Sequence, residues 1–143
     1  MLANAFVYCQ GLKTIVTGDL IILEYAGPGA QIAEHYFLAD SSSCLAKDVQ
    51  GQTPLHWAVA HDRPETAAIL LANKANIEAR GYARMTPLHY AAARSASAMV
   101  ALLLECGADI TARDVTDWTP LRWAKEMKRP DMVRYLQERG AKM

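Results

Sequence analysis

The residues of this 143-residue chain whose types could do chemistry are four histidines and three cysteines. A hydrolase would need one of them as nucleophile or base, with an orienting group within reach. A structural zinc site would need paired Cys or His ligands. Neither arrangement emerges. Cys9, Cys44 and Cys106 are widely spaced with no CxxC pair, the wrong pattern for a disulfide framework or a metal knot. Reduced thiols fit a reducing compartment, so an intracellular protein, cytoplasmic or nuclear, is expected. Cys106 stands just before Gly107 at a helix end, where the negative end of the helix dipole disfavours a thiolate. His61 is solitary, His35 falls in a segment without clear pattern, and no zinc site can be assembled from the histidines. There is no glycine-rich phosphate loop and no GxSxG elbow. No catalytic residue, cofactor or metal is therefore expected; the enzymatic alternative is a hydrolase using Cys106 or a histidine.

Composition narrows the classes further. The chain is 52% hydrophobic and 21% charged, which is globular rather than disordered. Fifteen basic and fifteen acidic residues cancel, which removes the footprint of a nucleic-acid or membrane-surface binder. Residues 1–47 are mildly acidic and the stretch from Asp114 is mildly basic. The apolar start, Met1 to Cys9, lacks a basic lead, and Gln10, Lys13 and Asp19 soon interrupt its apolar character. It does not read as a signal peptide, and no run approaches a membrane span.

The elements that must position these residues are announced by a repeat. Thr53-Pro54-Leu55-His56 recurs as Thr86-Pro87-Leu88-His89 and again as Thr119-Pro120-Leu121-Arg122, at intervals of 33 residues. Ile69-Leu70-Leu71 matches Leu102-Leu103-Leu104, and Ala75-Asn76-Ile77 matches Ala108-Asp109-Ile110, in the same register. In the last copy Tyr135-Leu136-Gln137 and Gly140-Ala141 hold those places. The period and the TPLH signature resemble the ankyrin repeat. The resemblance covers Asp48 to Met143, about two thirds of the chain. It implies an all-α solenoid of stacked helix-turn-helix units with short β-turn tips, and a role in binding other proteins.

The same residues make physical sense without a family. Thr53 suits a helix N-cap, Pro54 suits the first helical position, and His56 can reach back toward the cap. Leu55, Ala58 and Val59 form a narrow apolar stripe of small and branched side chains. A break at His61-Asp62-Arg63 precedes a second helix that starts at Pro64 and ends near Ala72. Ala96-Ser97 and Arg129-Pro130 mark the same start later. Gly107 and Gly140 fall where a left-handed C-terminal cap is needed. Lys74 replaces that glycine in the first copy; Asp62, Ser95 and Lys128 replace the one between helices; Arg84 and Asp117 replace the one before the threonine. Helices this short need neighbours, so each buries its stripe against the next repeat.

The chain accordingly divides into a degenerate N-terminal capping repeat plus an unplaced leader (1–47), two repeats (48–80 and 81–113) and a C-terminal capping repeat (114–143). Lys125, Glu126, Lys128, Arg129, Asp131, Arg134, Gln137, Glu138 and Arg139 give the last copy the polar outer face a cap requires. At the other end, Leu20 to Ala26 is assigned a worn first helix and Ile32 to Ala39 a second, because the repeat face at Asp48 needs a cover. The competing reading makes Thr14-Ile15-Val16-Thr17 and Leu20-Ile21-Ile22-Leu23 strands around Gly18-Asp19.

In proteins similar to this one, partners are gripped by turn tips and by the exposed side of each first helix. Those positions carry Val49, Gln50, Gln52 and His61 in the first repeat. They carry Tyr82, Met85 and Arg94 in the second, and Trp118 and Met127 in the third. Large apolar side chains at turn tips beside arginines are common hot-spot types. Trp57, Tyr90 and Trp123 form an aromatic ridge read mainly as inter-helix packing. The expected function is a monomeric, non-enzymatic module that binds a folded protein on its concave face as regulator, scaffold or inhibitor. Alternatively, residues 1–31 are the functional, dimerising or partner-binding element.

Overall fold

The computed structural model describes the backbone of residues 5–9, 12–17 and 20–25 and the whole of residues 50–142. Over the repeats the fold is all-α. Three helix pairs succeed one another: α1 (Pro54–Ala60) with α2 (Pro64–Ala72), α3 (Pro87–Arg94) with α4 (Ser97–Glu105), and α5 (Pro120–Glu126) with α6 (Pro130–Glu138). The first helices stack in a row, α1 on α3 and α3 on α5, while α2 packs on α4 behind them.

Each first helix begins on a threonine with extended backbone, followed by proline at the first helical position. In α1 the Thr53 N–H donates to His56 Nδ1 over 3.2 Å, and in α3 the Thr86 N–H donates to His89 Nδ1 over 3.1 Å. Both histidines thus serve as the reciprocal half of a capping box. Accepting at Nδ1 leaves the proton on Nε2, and that nitrogen donates across the stack. His56 Nε2 reaches the Met85 carbonyl at 3.0 Å and His89 Nε2 the Trp118 carbonyl at 2.9 Å. One buried imidazole therefore starts its own helix and holds the next turn.

The core repeats with the sequence. Leu55, Leu88 and Leu121 are each at most 1% exposed, as are Leu70, Leu103 and Leu136. Ala58, Ala91 and Ala124 lie between them and let the first helices approach closely. Met99 and Met132 fill in the second helices the place that the buried hydroxyl of Thr66 takes in α2.

Left-handed backbone falls in three columns. Asp62, Ser95 and Lys128 end the first helices with φ of 52°, 61° and 54°. Lys74, Gly107 and Gly140 end the second helices at 64°, 91° and 92°. Gly51, Arg84 and Asp117 occupy the turns at 77°, 57° and 65°. Every position where the sequence lacks the glycine of the pattern does adopt positive φ, a strain of about 1–2 kcal/mol for most side chains and less for Asp. Ala83, at 52°, is the one such residue that the pattern does not anticipate.

Ahead of the repeats the expectation needs correction. Leu20 to Ala26, assigned to a worn helix, contains instead the strand β3 (Leu20–Tyr25). It pairs antiparallel with β2 (Leu12–Thr17), which pairs antiparallel with β1 (Ala5–Cys9), giving the order β1-β2-β3. The register Thr17↔Leu20 and Val16↔Ile21 is that of a tight hairpin. β-Branched Thr14, Ile15, Val16, Ile21 and Ile22 favour this pleated pairing over a helix. The expected second cap helix, Ile32 to Ala39, lies outside the described residues.

Candidate functional site

On a helix, residues four apart share a face. The first helices therefore present three equivalent pairs: Trp57 with His61, Tyr90 with Arg94, and Trp123 with Met127. Each pair is fixed differently. The Trp57 and His61 rings stack at 5.6 Å with 13° between planes. Tyr90 meets the buried His56 ring edge-on at 5.6 Å and 83°, so the capping histidine of one repeat orients the tyrosine of the next. The Trp123 indole N–H donates to Asp114 Oδ2 at 2.7 Å, and Trp118 meets Trp123 edge-on at 5.2 Å.

Between the middle and last pairs lies a groove of roughly 520 Å³, lined by Tyr82, Met85, Tyr90, Ala93, Arg94, Trp123, Met127 and Arg129. Tyr82 is 63% exposed and Met127 46%, although both are large and apolar. This groove brings together four of the residues singled out from sequence: Tyr82, Met85, Arg94 and Met127. Met85 corrects the expectation of an exposed tip residue, because at 7% exposure it is buried. Its place beneath the turn is fixed by the His56 bond to its carbonyl.

The remaining predicted residues stand elsewhere. Trp118 is half-buried and lines a smaller hollow with Arg113, Asp117, Thr119 and Arg122, the Arg122 guanidinium lying 5.2 Å from its ring centroid. His61 sits on the neighbouring first helix, where burial foremost, then the charges of Arg94 and Arg63, push its pKa down. In the first turn Gln50 is exposed and accepts a bond from Gln52 Nε2 at 3.1 Å. Val49 lies outside the described residues.

Sequence reasoning missed Tyr90 and Trp123 as groove walls, and read Arg129 as a helix start and part of a polar cap rather than as a groove residue. The aromatic ridge was visible, but packing and exposure are both true of it: Trp57 and Tyr90 cover the core with one side and face outward with the other. The available signal was the four-residue offset from His61, Arg94 and Met127. Arg129 enters the groove only because α5 and α6 fold back on each other.

The electrostatics are those of structure and recognition. Burial pushes the His89 imidazole down, and Arg80 adds to this; the carbonyls of Trp118 and Ala112 and the Asp114 carboxylate oppose it without prevailing. Burial pushes the Asp114 carboxyl up, but donors from Trp118, Trp123 and Thr116 together hold it below the ordinary value. Both groups are committed to holding turns. Among the described residues no three His, Cys, Asp or Glu side chains cluster to hold a metal.

Comparison with known proteins agrees with this architecture. A family model described as ankyrin repeats (3 copies) matches residues 80–143, and one described as ankyrin repeats (many copies) matches residues 55–104. A search of curated proteins returned no match. Ankyrin repeats are generally protein–protein interaction modules and the family is typically non-enzymatic. No helix among the described residues is long and apolar enough to cross a membrane. With both family models and the helix pairs in one register over residues 55–143, the chain belongs to the ankyrin-repeat family.

Proposed function

We propose that this chain is a non-enzymatic docking module that holds a folded protein partner on the face formed by α1, α3 and α5. The groove between the middle and last repeats is its centre. One observation carries the reading: Tyr82, Tyr90, Trp123 and Met127 converge there with Arg94 and Arg129, from two repeats. Aromatic and arginine side chains dominate binding hot spots because they offer large contact area with a polar handle. Large apolar residues as exposed as Tyr82 and Met127 gain most from being covered. The module acts as a regulator, scaffold or inhibitor inside the cell, as a monomer.

The test is a double variant, Tyr82→Ala with Met127→Ala, whose exposed positions leave the fold intact. Partners captured from cell extract by the wild-type chain and identified by mass spectrometry should be lost from the variant, while its circular dichroism melt is unchanged. Recovery of the same partners in the same amounts would sink the assignment of this face.

A second reading rests on the β1–β3 sheet. Within the described residues β1 and β3 each pair on one side only, and a strand edge is a ready template for another chain. If residues 1–31 dimerise the protein, light scattering will show the mass halved on their deletion.

A further inference from the structure

Resting on that reading, we infer the chemistry of the partner: the groove takes an acidic segment, with an apolar side chain seated between Tyr90 and Trp123 and flanking carboxylates on Arg94 and Arg129. Charge is distributed unevenly around two hollows that share Arg129. The groove itself contains Arg94 and Arg129 and no acidic residue. A second hollow of roughly 520 Å³ shares Arg129 with it and is lined by Lys125, Lys128, Pro130 and Val133, again with no acid. Two cations thus border the groove and Arg129 is common to both hollows, in a chain whose formal net charge is zero.

The two groove arginines are not neutralised from within the repeats. Neither Arg94 nor Arg129 is ion-paired to a described residue, whereas Glu126, the neighbour of Met127 in the chain, is engaged by Arg122 at 3.2 Å. A guanidinium beside a water-excluding aromatic wall binds a carboxylate more strongly than one in open solvent. A protein segment fits better than a nucleic acid, because balanced overall charge withholds the long-range attraction that backbone phosphates require.

The experiment is selection from a phage-displayed random peptide library on the intact chain, followed by fluorescence polarisation with the most enriched peptide, synthesised and labelled. Enriched peptides should carry Asp or Glu beside a large apolar residue. Arg94→Glu with Arg129→Glu should weaken the selected peptide about tenfold or more, the loss expected when charge complementarity is reversed. Arg134→Glu, on the exposed side of α6 and outside both hollows, should leave affinity within about twofold. Circular dichroism melts confirm that each variant is folded.

Enrichment of peptides without acidic residues, or binding that survives the double reversal, overturns the inference. So does a failure to enrich any peptide, or arginine-dependent binding confined to a heparin fragment or a single-stranded oligonucleotide tested in the same assay. These outcomes leave the docking function itself standing if Tyr82→Ala with Met127→Ala still loses its cellular partners. Retention of those partners instead removes the face as a whole.

Discussion

The turns Gly81–Met85 and Asp114–Trp118 hold equivalent places 33 residues apart, and they are built differently. Both are closed by the same backbone bond, Gly81 N–H to the Met85 carbonyl and Asp114 N–H to the Trp118 carbonyl, each at 3.0 Å. Both are braced from outside, by Arg80 on the Arg84 carbonyl at 3.2 Å and by Arg113 on the Asp117 carbonyl at 3.1 Å. Inside, they diverge. Asp114 Oδ1 accepts from the Thr116 N–H, the Thr116 hydroxyl and the Trp118 N–H, and its Oδ2 accepts from the Trp123 indole. Gly81 has no side chain to do this, and its Cβ position is filled by the His56 ring, with Nε2 at 3.0 Å. The middle turn closes instead through the Met85 N–H on the Tyr82 carbonyl at 3.0 Å, with Ala83 and Arg84 both left-handed. The exposure pattern is nonetheless shared: the tip residue faces out in both turns, Tyr82 at 63% and Val115 at 60%, and the residue before the threonine is drawn in, Met85 more fully than Trp118. What the carboxylate adds is a hydrogen-bonded frame for Trp118 and Trp123, whereas the middle turn is the one that presents an aromatic tip.

This contrast is easiest to break at the histidines. His56→Ala and His89→Ala each remove a fully buried ring and leave a threonine N–H and a carbonyl unpaired, a loss of about 3–4 kcal/mol by urea denaturation. The first should cost more than the second, since the turn above His56 has no carboxylate in reserve. Equal losses would mean that Asp114 adds nothing. Asp114→Ala should itself cost about 2–3 kcal/mol, because four donors lose one acceptor. Gly81→Asp does not transplant that benefit. The new Cβ presses on His56, and a loss of about 1 kcal/mol is expected, whereas a gain would make the two turns interchangeable.

Smaller effects sharpen the contrast. Lys74→Gly should stabilise by about 1 kcal/mol, because it relieves φ of 64° at a position where Gly107 and Gly140 already sit in the other copies. A gain absent from the melting curve would show that Lys74 makes compensating contacts. Acidification separates the two groups that hold the last turn. The native His89 pKa lies below its ordinary 6.5, so unfolded chain binds more protons in mild acid. Its contribution is complete above pH 6.5 and is lost as pH falls through the lowered native value. Asp114, held below 3.8, adds stability that disappears only as pH falls below that value. The melting temperature should thus fall in two stages. The first stage should shrink in His89→Gln, and its persistence at full size would assign that stage to another group.

Much of this architecture was legible because it is periodic. The threonine-proline starts, the reciprocal histidines, the left-handed columns and the buried leucines are local requirements, met within a few residues and repeated in phase. The hairpin was legible too, in β-branched residues around Gly18-Asp19, but the demand for a cap on the repeat face outweighed it in the reading of Leu20 to Ala26. Burial at the tips was not legible. Met85 and Trp118 look alike as large apolar turn residues, yet the first is a groove floor and the second rests between Arg122 and Trp123.

Sequence by itself therefore determined the repeat fold, the helix starts and the left-handed positions other than Ala83, since these arise from backbone sterics, capping chemistry and spacing. Only the tertiary structure decided which side chains share a surface. Tyr82, the α3 pair Tyr90 and Arg94, Trp123 and Arg129 come from two repeats, and nothing local relates them all. Their convergence depends on how closely α3 packs on α5 and how α6 folds back, distances set by the small alanines between the helices and by the imidazoles that tie each turn to the repeat before it.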